Sequence, residues 1–233
     1  MADGFDLSTS DETGQTALML SAFPPFSRDQ FEKLVSAGAD VNARRADSME
    51  GLMLACSGGM EDTVQFWLDA GANVNLRGAS GCTAIMLGAK HSKIVQRLLE
   101  RGADVAATDN GGDTALDYAI DDQSIMRAGS RLKSIELVAR ELSRVDASSL
   151  KRSLDHAIEI ARKTRVHHQV LTKLGLRPVS ENLLRARKQT DQSKAHQAWL
   201  LDMEDLIDLE ITEIELADRI VALLREVVAE AKE

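Results

Sequence analysis

Aromatic side chains are scarce in this chain: Phe, Trp and Tyr make up 3% of its 233 residues. That removes the stacking platforms on which single-stranded nucleic acids are held. A formal net charge of −9 also disfavours a general binder of phosphate backbones, so no nucleic-acid partner is expected. Cysteine is nearly absent. Cys56 and Cys82 are too few for a disulfide scaffold, and their apolar, helix-like surroundings suit buried free thiols. No apolar run has the length a bilayer demands, so no membrane insertion is expected. The opening MADGFDLSTS shows no basic segment leading into an apolar one. A cytoplasmic address, with the nucleus as the alternative, is the expectation.

Catalytic signatures are missing too. There is no glycine loop closed by Gly-Lys-Ser/Thr and no Gly-x-Ser-x-Gly elbow. Gly111 and Gly112 belong to a turn instead. His167 and His168 point to different helix faces, and His156 stands about three helical turns before them. That is too far to share a metal. No catalytic residue, cofactor or metal is expected, and the chain reads as a non-enzyme.

What the sequence does contain is repetition. GADVN at 38–42, GANVN at 71–75 and GADVA at 102–106 recur 33 and then 31 residues apart. Upstream of them stand GQTALMLSA (14–22), SMEGLMLAC (48–56) and GCTAIMLGA (81–89), and a fourth such segment, GDTALDYAI, follows at 112–120. Each begins an apolar run at helical spacing. A second apolar helix follows, as in FEKLVSAG (31–38), TVQFWLDAG (63–71) and KIVQRLLERG (93–102). Gly38, Gly71 and Gly102 each close that second helix, where a left-handed backbone favours glycine. One helix pair cannot bury its apolar faces alone, and a period near 33 residues is the mark of a stacked solenoid.

These residues resemble ankyrin repeats, whose pattern runs G-x-T-P-L-H-x-A-A, V-V-x-L-L, G-A-D-V-N. Four copies are counted, at about 11–43, 44–76, 77–107 and 108–144. The expected fold is all-α: an ankyrin-repeat solenoid at 11–144, after an N-terminal tail at 1–10, followed by a small helical bundle or extension at 145–233. The copies depart from the pattern. Thr16, Thr83 and Thr114 precede alanine rather than proline. In the second copy Ser48 and Glu50 replace glycine and threonine. The usual histidine is replaced by Met19, Met53, Met86 and Asp117, so its hydrogen bonds to neighbouring loops are expected to be lost. The three methionines are core residues by repeat equivalence. Pro24 and Pro25 are inserted in the first copy, and the second helix of the fourth runs on through 130–144. Leu34, Asp40, Val41 and Asn42 also resemble the site asparaginyl hydroxylases modify in such repeats, a pattern any regular repeat displays.

The resemblance implies a scaffold or adaptor that binds another protein through hairpin tips and inner helices. Matched by position, the contact residues are Ala46, Asp47, Met49, Ser57 and Gly58 in the second repeat. Ala79, Ser80, Cys82 and Lys90 follow in the third, and Asn110, Asp113, Asp121 and Asp122 in the fourth. Arg44, Arg45 and Arg77 lie on the loops between them and can form a local positive strip in an acidic region. The alternative role is a structural subunit of a large assembly, docked or self-associated through helices at 208–233.

Beyond Asp146 the repeats stop. Leu150, Leu154, Ile158 and Ala161 share one predicted helical face. Leu150, Leu154 and Ile158 are expected to cover the apolar side left open after Leu142, since a terminal repeat needs a polar outer face. Val166, Val170, Leu171 and Leu174 continue the helix to Gly175, and Pro178 blocks it. Another helix is predicted from Ser180, then a polar stretch at 185–197. Basic residues dominate 151–188 and acidic ones 202–218, which allows facing charges or two solvated surfaces. Over 208–233 the apolar stripe is wider than a coiled-coil seam. Its residues, including Leu216, Ile220, Leu224 and Val227, suit burial in a bundle or against a partner.

Overall fold

The computed structural model describes residues 6–21, 28–45, 49–121, 128–173 and 213–231. The chain forms two compact units, Met1–Ala115 and Leu116–Glu233.

The first unit carries three helix pairs: α1 (Ala17–Leu20) with α2 (Arg28–Ser36), α3 (Gly51–Ser57) with α4 (Glu61–Asp69), and α5 (Ala84–Leu87) with α6 (Ser92–Glu100). The inner helices α1, α3 and α5 are short and begin from an extended residue, Thr16, Glu50 or Thr83. Thr16 Oγ1 accepts the Met19 amide at 3.4 Å, which satisfies one of the amides a helix start leaves open. The outer helices each end at a glycine of the repeated pentapeptide. Gly38, Gly71 and Gly102 have φ of 95°, 86° and 79°, the left-handed conformation expected of them. Asp40 Oδ1 then accepts the Asn42 amide, Asn73 Oδ1 that of Asn75 and Asp104 Oδ1 that of Ala106. Each pentapeptide thus closes its own turn.

Apolar residues of both helix rows build one core. Leu18, Met19, Leu52, Met53, Ile85 and Met86 come from the inner row, with Phe31, Val64, Trp67, Ile94 and Leu98 from the outer. All are buried, including the three methionines read as core from repeat equivalence. A fully buried side chain of this size contributes ~1.5–3 kcal/mol, so the core rather than the short helices holds the stack. Cys56 and Cys82 are free and buried. Burial first, and the nearby Glu50 charge second, push the Cys56 thiol well above its ordinary range. Between α2 and α4, Phe31 meets Trp67 edge-on at 5.1 Å and lies 6.0 Å from Phe66. On the outside, Asp69 pairs with Arg101 at 2.9 Å and with Arg28 at 3.6 Å, tying α4 to the helices before and after it.

The second unit holds α8 (Ala128–Val145), α9 (Ala147–Lys173) and α10 (Glu213–Glu230), with α7 (Ala115–Asp121) at its start. α8 has 18 residues against nine in α2, α4 and α6, as the run through 130–144 predicts. Asp146 separates α8 from α9. Its carboxylate accepts from the hydroxyls and amides of Ser148 and Ser149, and these bonds hold it below the usual carboxylate range. That is an N-cap in the helix's favour.

α9 packs on α8 and α10, and α10 packs on α8. The α9 face is Leu150, Ser153, Leu154, Ala157 and Ala161. Ile158, predicted to join that face, is 37% exposed instead. Helical geometry explains the correction. Two steps of four residues overshoot by about 80°, whereas the seven residues from Leu150 to Ala157 miss by only about 20°. On α10, Leu216, Ala217, Ile220, Val221, Leu224 and Val227 are buried. These residues of the stripe are covered inside this unit, Leu223 and Val228 are half-buried, and Arg140 of α8 bonds Glu230 of α10 at 2.8 Å.

Pro24, Pro25, Gly175, Pro178, the helix predicted from Ser180, residues 185–197 and most of the acidic block lie outside the described residues. Among the described residues no helix is long and apolar enough to cross a membrane.

Candidate functional site

Among the described residues four hairpins of one design stand before α1, α3, α5 and α7. Asp11, Arg45, Gly78 and Asp109 donate their amides to the carbonyls of Gln15, Met49, Cys82 and Asp113 at 2.8–3.0 Å. Successive joints in the first unit are latched by side chains. Asn42 Oδ1 accepts the Asn73 amide, and Asn75 Oδ1 accepts the Asp104 amide, both at 2.9 Å. Arg44 donates to the carbonyl of Arg77, and Arg77 to that of Thr108. Asn110 reaches back, its amide to Ser80 O at 2.9 Å and its Nδ2 to Ala79 O at 3.1 Å. Two successive joints thus use the same two devices, one amide-based and one cationic.

The sequence-predicted contact residues of this unit divide by that role. Arg44, Arg77 and Asn110 are exposed yet engaged in the latches. Ser57, Gly58, Ser80, Lys90 and Asp113 are also exposed, with Arg45 and Met49 half-buried. Cys82 is buried at 6% exposure. Its side chain turns under Gly78 and belongs to the core, which corrects its assignment as a contact. Ala46 and Asp47 lie outside the described residues. Arg44 and Arg45 also line a cavity of about 660 Å³ with Ser8, Ser10, Thr16 and Asp40. The cavity thus balances guanidinium groups against carboxylates rather than presenting one charge.

Glu50 stands out among these hairpins. It occupies the helix-start position held elsewhere by Thr16, Thr83 and Thr114. It is 1% exposed, and neither carboxyl oxygen has a hydrogen-bond partner. Burial pushes its carboxyl up to about 7, against the opposing pull of Arg44. Sequence comparison of the repeats marks Glu50 as a departure, but nothing local foretells that its side chain is enclosed.

In the second unit, Asp121 is exposed and its Oδ1 lies 2.6 Å from His156 Nε2 on α9. Asp122 lies outside the described residues. One turn earlier, Asp117 takes the place of a repeat histidine. Its Oδ1 accepts a bond of 2.6 Å from Ser153 on α9, both side chains being buried. The position was expected to lose its hydrogen bonds; it instead gains one from Ser153 of α9. Arg131, also buried, donates Nε to Ala119 O at 2.8 Å and Nη2 to Ile120 O at 2.7 Å. These are last-turn carbonyls of α7, where a cation is favoured. Neither Ser153 nor Arg131 carries a local sign of these roles. Among the described residues no three His, Cys, Asp or Glu side chains gather as a metal site.

Paired helices on a period near 33 residues, joined by latched hairpins, define a helical-repeat solenoid. Residues 52–128 match the family model for ankyrin repeats, in three copies. Ankyrin repeats therefore occupy these residues of the chain. Such repeats generally mediate protein–protein interaction.

Proposed function

We propose that the chain is a non-enzymatic scaffold or adaptor that binds one protein partner through its hairpins and inner helices. In this reading residues 11–144 form the binding array, and 145–233 complete its end and support it. The observation that carries the reading is the division within each hairpin of the first unit. Backbone groups are closed by equivalent bonds at every repeat, while equivalent exposed positions differ, as Ser57 does from Lys90 and Ala79 from Asn110. A framework that repeats beneath a surface that does not is suited to one partner shape.

Against the alternative, docking through 208–233, counts the burial of Leu224 and Val227 on α10, a helix that packs on α8 and α9. The test uses Ser57→Arg, Ser80→Arg and Lys90→Glu together in the full chain, because these side chains lie outside the latches. Crosslinking and affinity capture from the native source should lose partners that the wild type retains, with circular dichroism unchanged. Retention of the same partners at the same salt tolerance sinks the hairpin reading.

A further inference from the structure

We propose that Glu50 is a proton-controlled switch in the joint between the second and third repeats, with Arg44 as its moving part. The two residues face each other across an antiparallel bridge. Glu50 is enclosed with both oxygens lacking a donor. A carboxyl so placed is tolerated neutral, whereas its anion demands a donor or a cation. The adjacent cation is Arg44, whose guanidinium is directed to the carbonyl of Arg77 in the following loop. A bond from guanidinium to carboxylate is roughly twice as strong as one between neutral groups. When Glu50 gives its proton to water, Arg44 therefore leaves the Arg77 carbonyl for the new anion and the latch opens. Reprotonation returns Arg44 to Arg77.

Among the described residues no side chain bonds the Glu50 carboxyl. Its own helix contributes Cys56, whose thiol burial keeps protonated. α4 presents uncharged Trp67 beside Gly51. Of the α4 carboxylates, Asp69 pairs with Arg101 and Arg28, Glu61 with Lys93, and Asp62 is exposed. α5 has no titratable residue. Arg45 and Arg77 in the flanking hairpins add positive charge, while Asp40 lines one cavity with Arg44 and Arg45 and Asp11 feels the charge of Arg45. Burial sets the midpoint near 7, so the switch works across neutral pH. The other repeats carry threonine at this position and have no such group, which confines the response to one joint.

The proposal does not need a partner, and its failure leaves the partner reading intact. In the full-length chain, the carboxyl carbon shift of Glu50 is followed by NMR from about pH 5 to about pH 9, assigned with E50Q. Hydrogen exchange of 43–45, 49–50 and 75–78 is measured in parallel and corrected for intrinsic rates. The expected result is a near-neutral midpoint, with protection of these segments falling several-fold above it. E50Q and the repeat-like E50T should both hold protection constant. Arg44→Gln should leave Glu50 titrating while removing the pH response of the 75–78 segment. The proposal is overturned if Glu50 titrates as an exposed carboxyl, or if E50Q or E50T follows the wild-type exchange profile.

Discussion

Gly51 begins α3 where the other repeats place alanine, as Ala17, Ala84 and Ala115 show. By helix propensity alone, Gly51→Ala should stabilise by up to ~1 kcal/mol. The packing predicts the opposite. A Cβ on Gly51 would stand 1.9 Å from Trp67 Cζ2, 2.2 Å from Cη2 and 2.6 Å from Cε2. Carbon atoms in contact rest at ~3.5–4.0 Å, so the indole must retreat by more than an ångström. It has nowhere to go. Trp67 is 1% exposed and packs edge-on with Phe31. Overpacking of this kind costs ~1–3 kcal/mol, which outweighs the propensity gain.

Repeat equivalence supplies the control. Counting back from the closing glycines, Trp67 aligns with Leu34 and Leu98. Trp67→Leu removes the ring that collides with the new methyl. Urea unfolding followed by circular dichroism should show Gly51→Ala less stable than wild type. The double variant should be more stable than the two single losses predict, by ~0.5–3 kcal/mol of coupling. A Gly51→Ala chain as stable as wild type, or strictly additive effects, would refute the argument that this glycine exists to seat the tryptophan.

The remaining predictions concern the second unit and acidity. Leu224→Ala, at a position 0% exposed, should cost ~2–5 kcal/mol; an unchanged unfolding curve would show that α10 adds no packing energy. Ser153→Ala deprives buried Asp117 of a donor and should cost ~1–3 kcal/mol, read in the same urea titration, with Ser148→Ala on the exposed side as the comparison. Arg131→Met should destabilise similarly by leaving the Ala119 and Ile120 carbonyls without that donor, with ~1–3 kcal/mol expected. For pH, folded Glu50 keeps a proton that the unfolded chain releases at its ordinary value of 4.5. The Glu50 contribution to stability should therefore be full below that value and be lost as pH rises to about 7, by on the order of 3 kcal/mol. Asp69 works in the other direction. Its bonds with Gln65 and then Arg101 lower it, so its contribution is present above its ordinary 3.8 and lost in more acidic solution. Subtracting the E50Q profile isolates the Glu50 slope; identical wild-type and E50Q profiles between those limits would contradict it.

The repeats were legible because their signals are local. A glycine with positive φ, an aspartate or asparagine two residues on, and an apolar run at helical spacing all declare themselves within ten residues or so. The residues that specialise this array do not. Glu50 and Gly51 look like two unrelated lapses from Thr-Ala, and each acquires its reason only in space. Gly51 makes room for Trp67, while Glu50 is enclosed beside Arg44. Asp117 looks like a damaged histidine position until Ser153, 36 residues later, is placed against it. The exchange shows how the terminal repeat is specified: a position that elsewhere carries a methionine of the core is turned toward α9. Even the misplaced Ile158 follows from this logic. α9 meets its neighbours with Ser149, Ser153 and Ala157 between its leucines, a face of small side chains that permits close approach and pairs a hydroxyl with Asp117. A hydrophobicity pattern rewards Ile158 for being large. The packed face instead selects residues small enough to bring the helix near, and that selection is visible only when both partners are present.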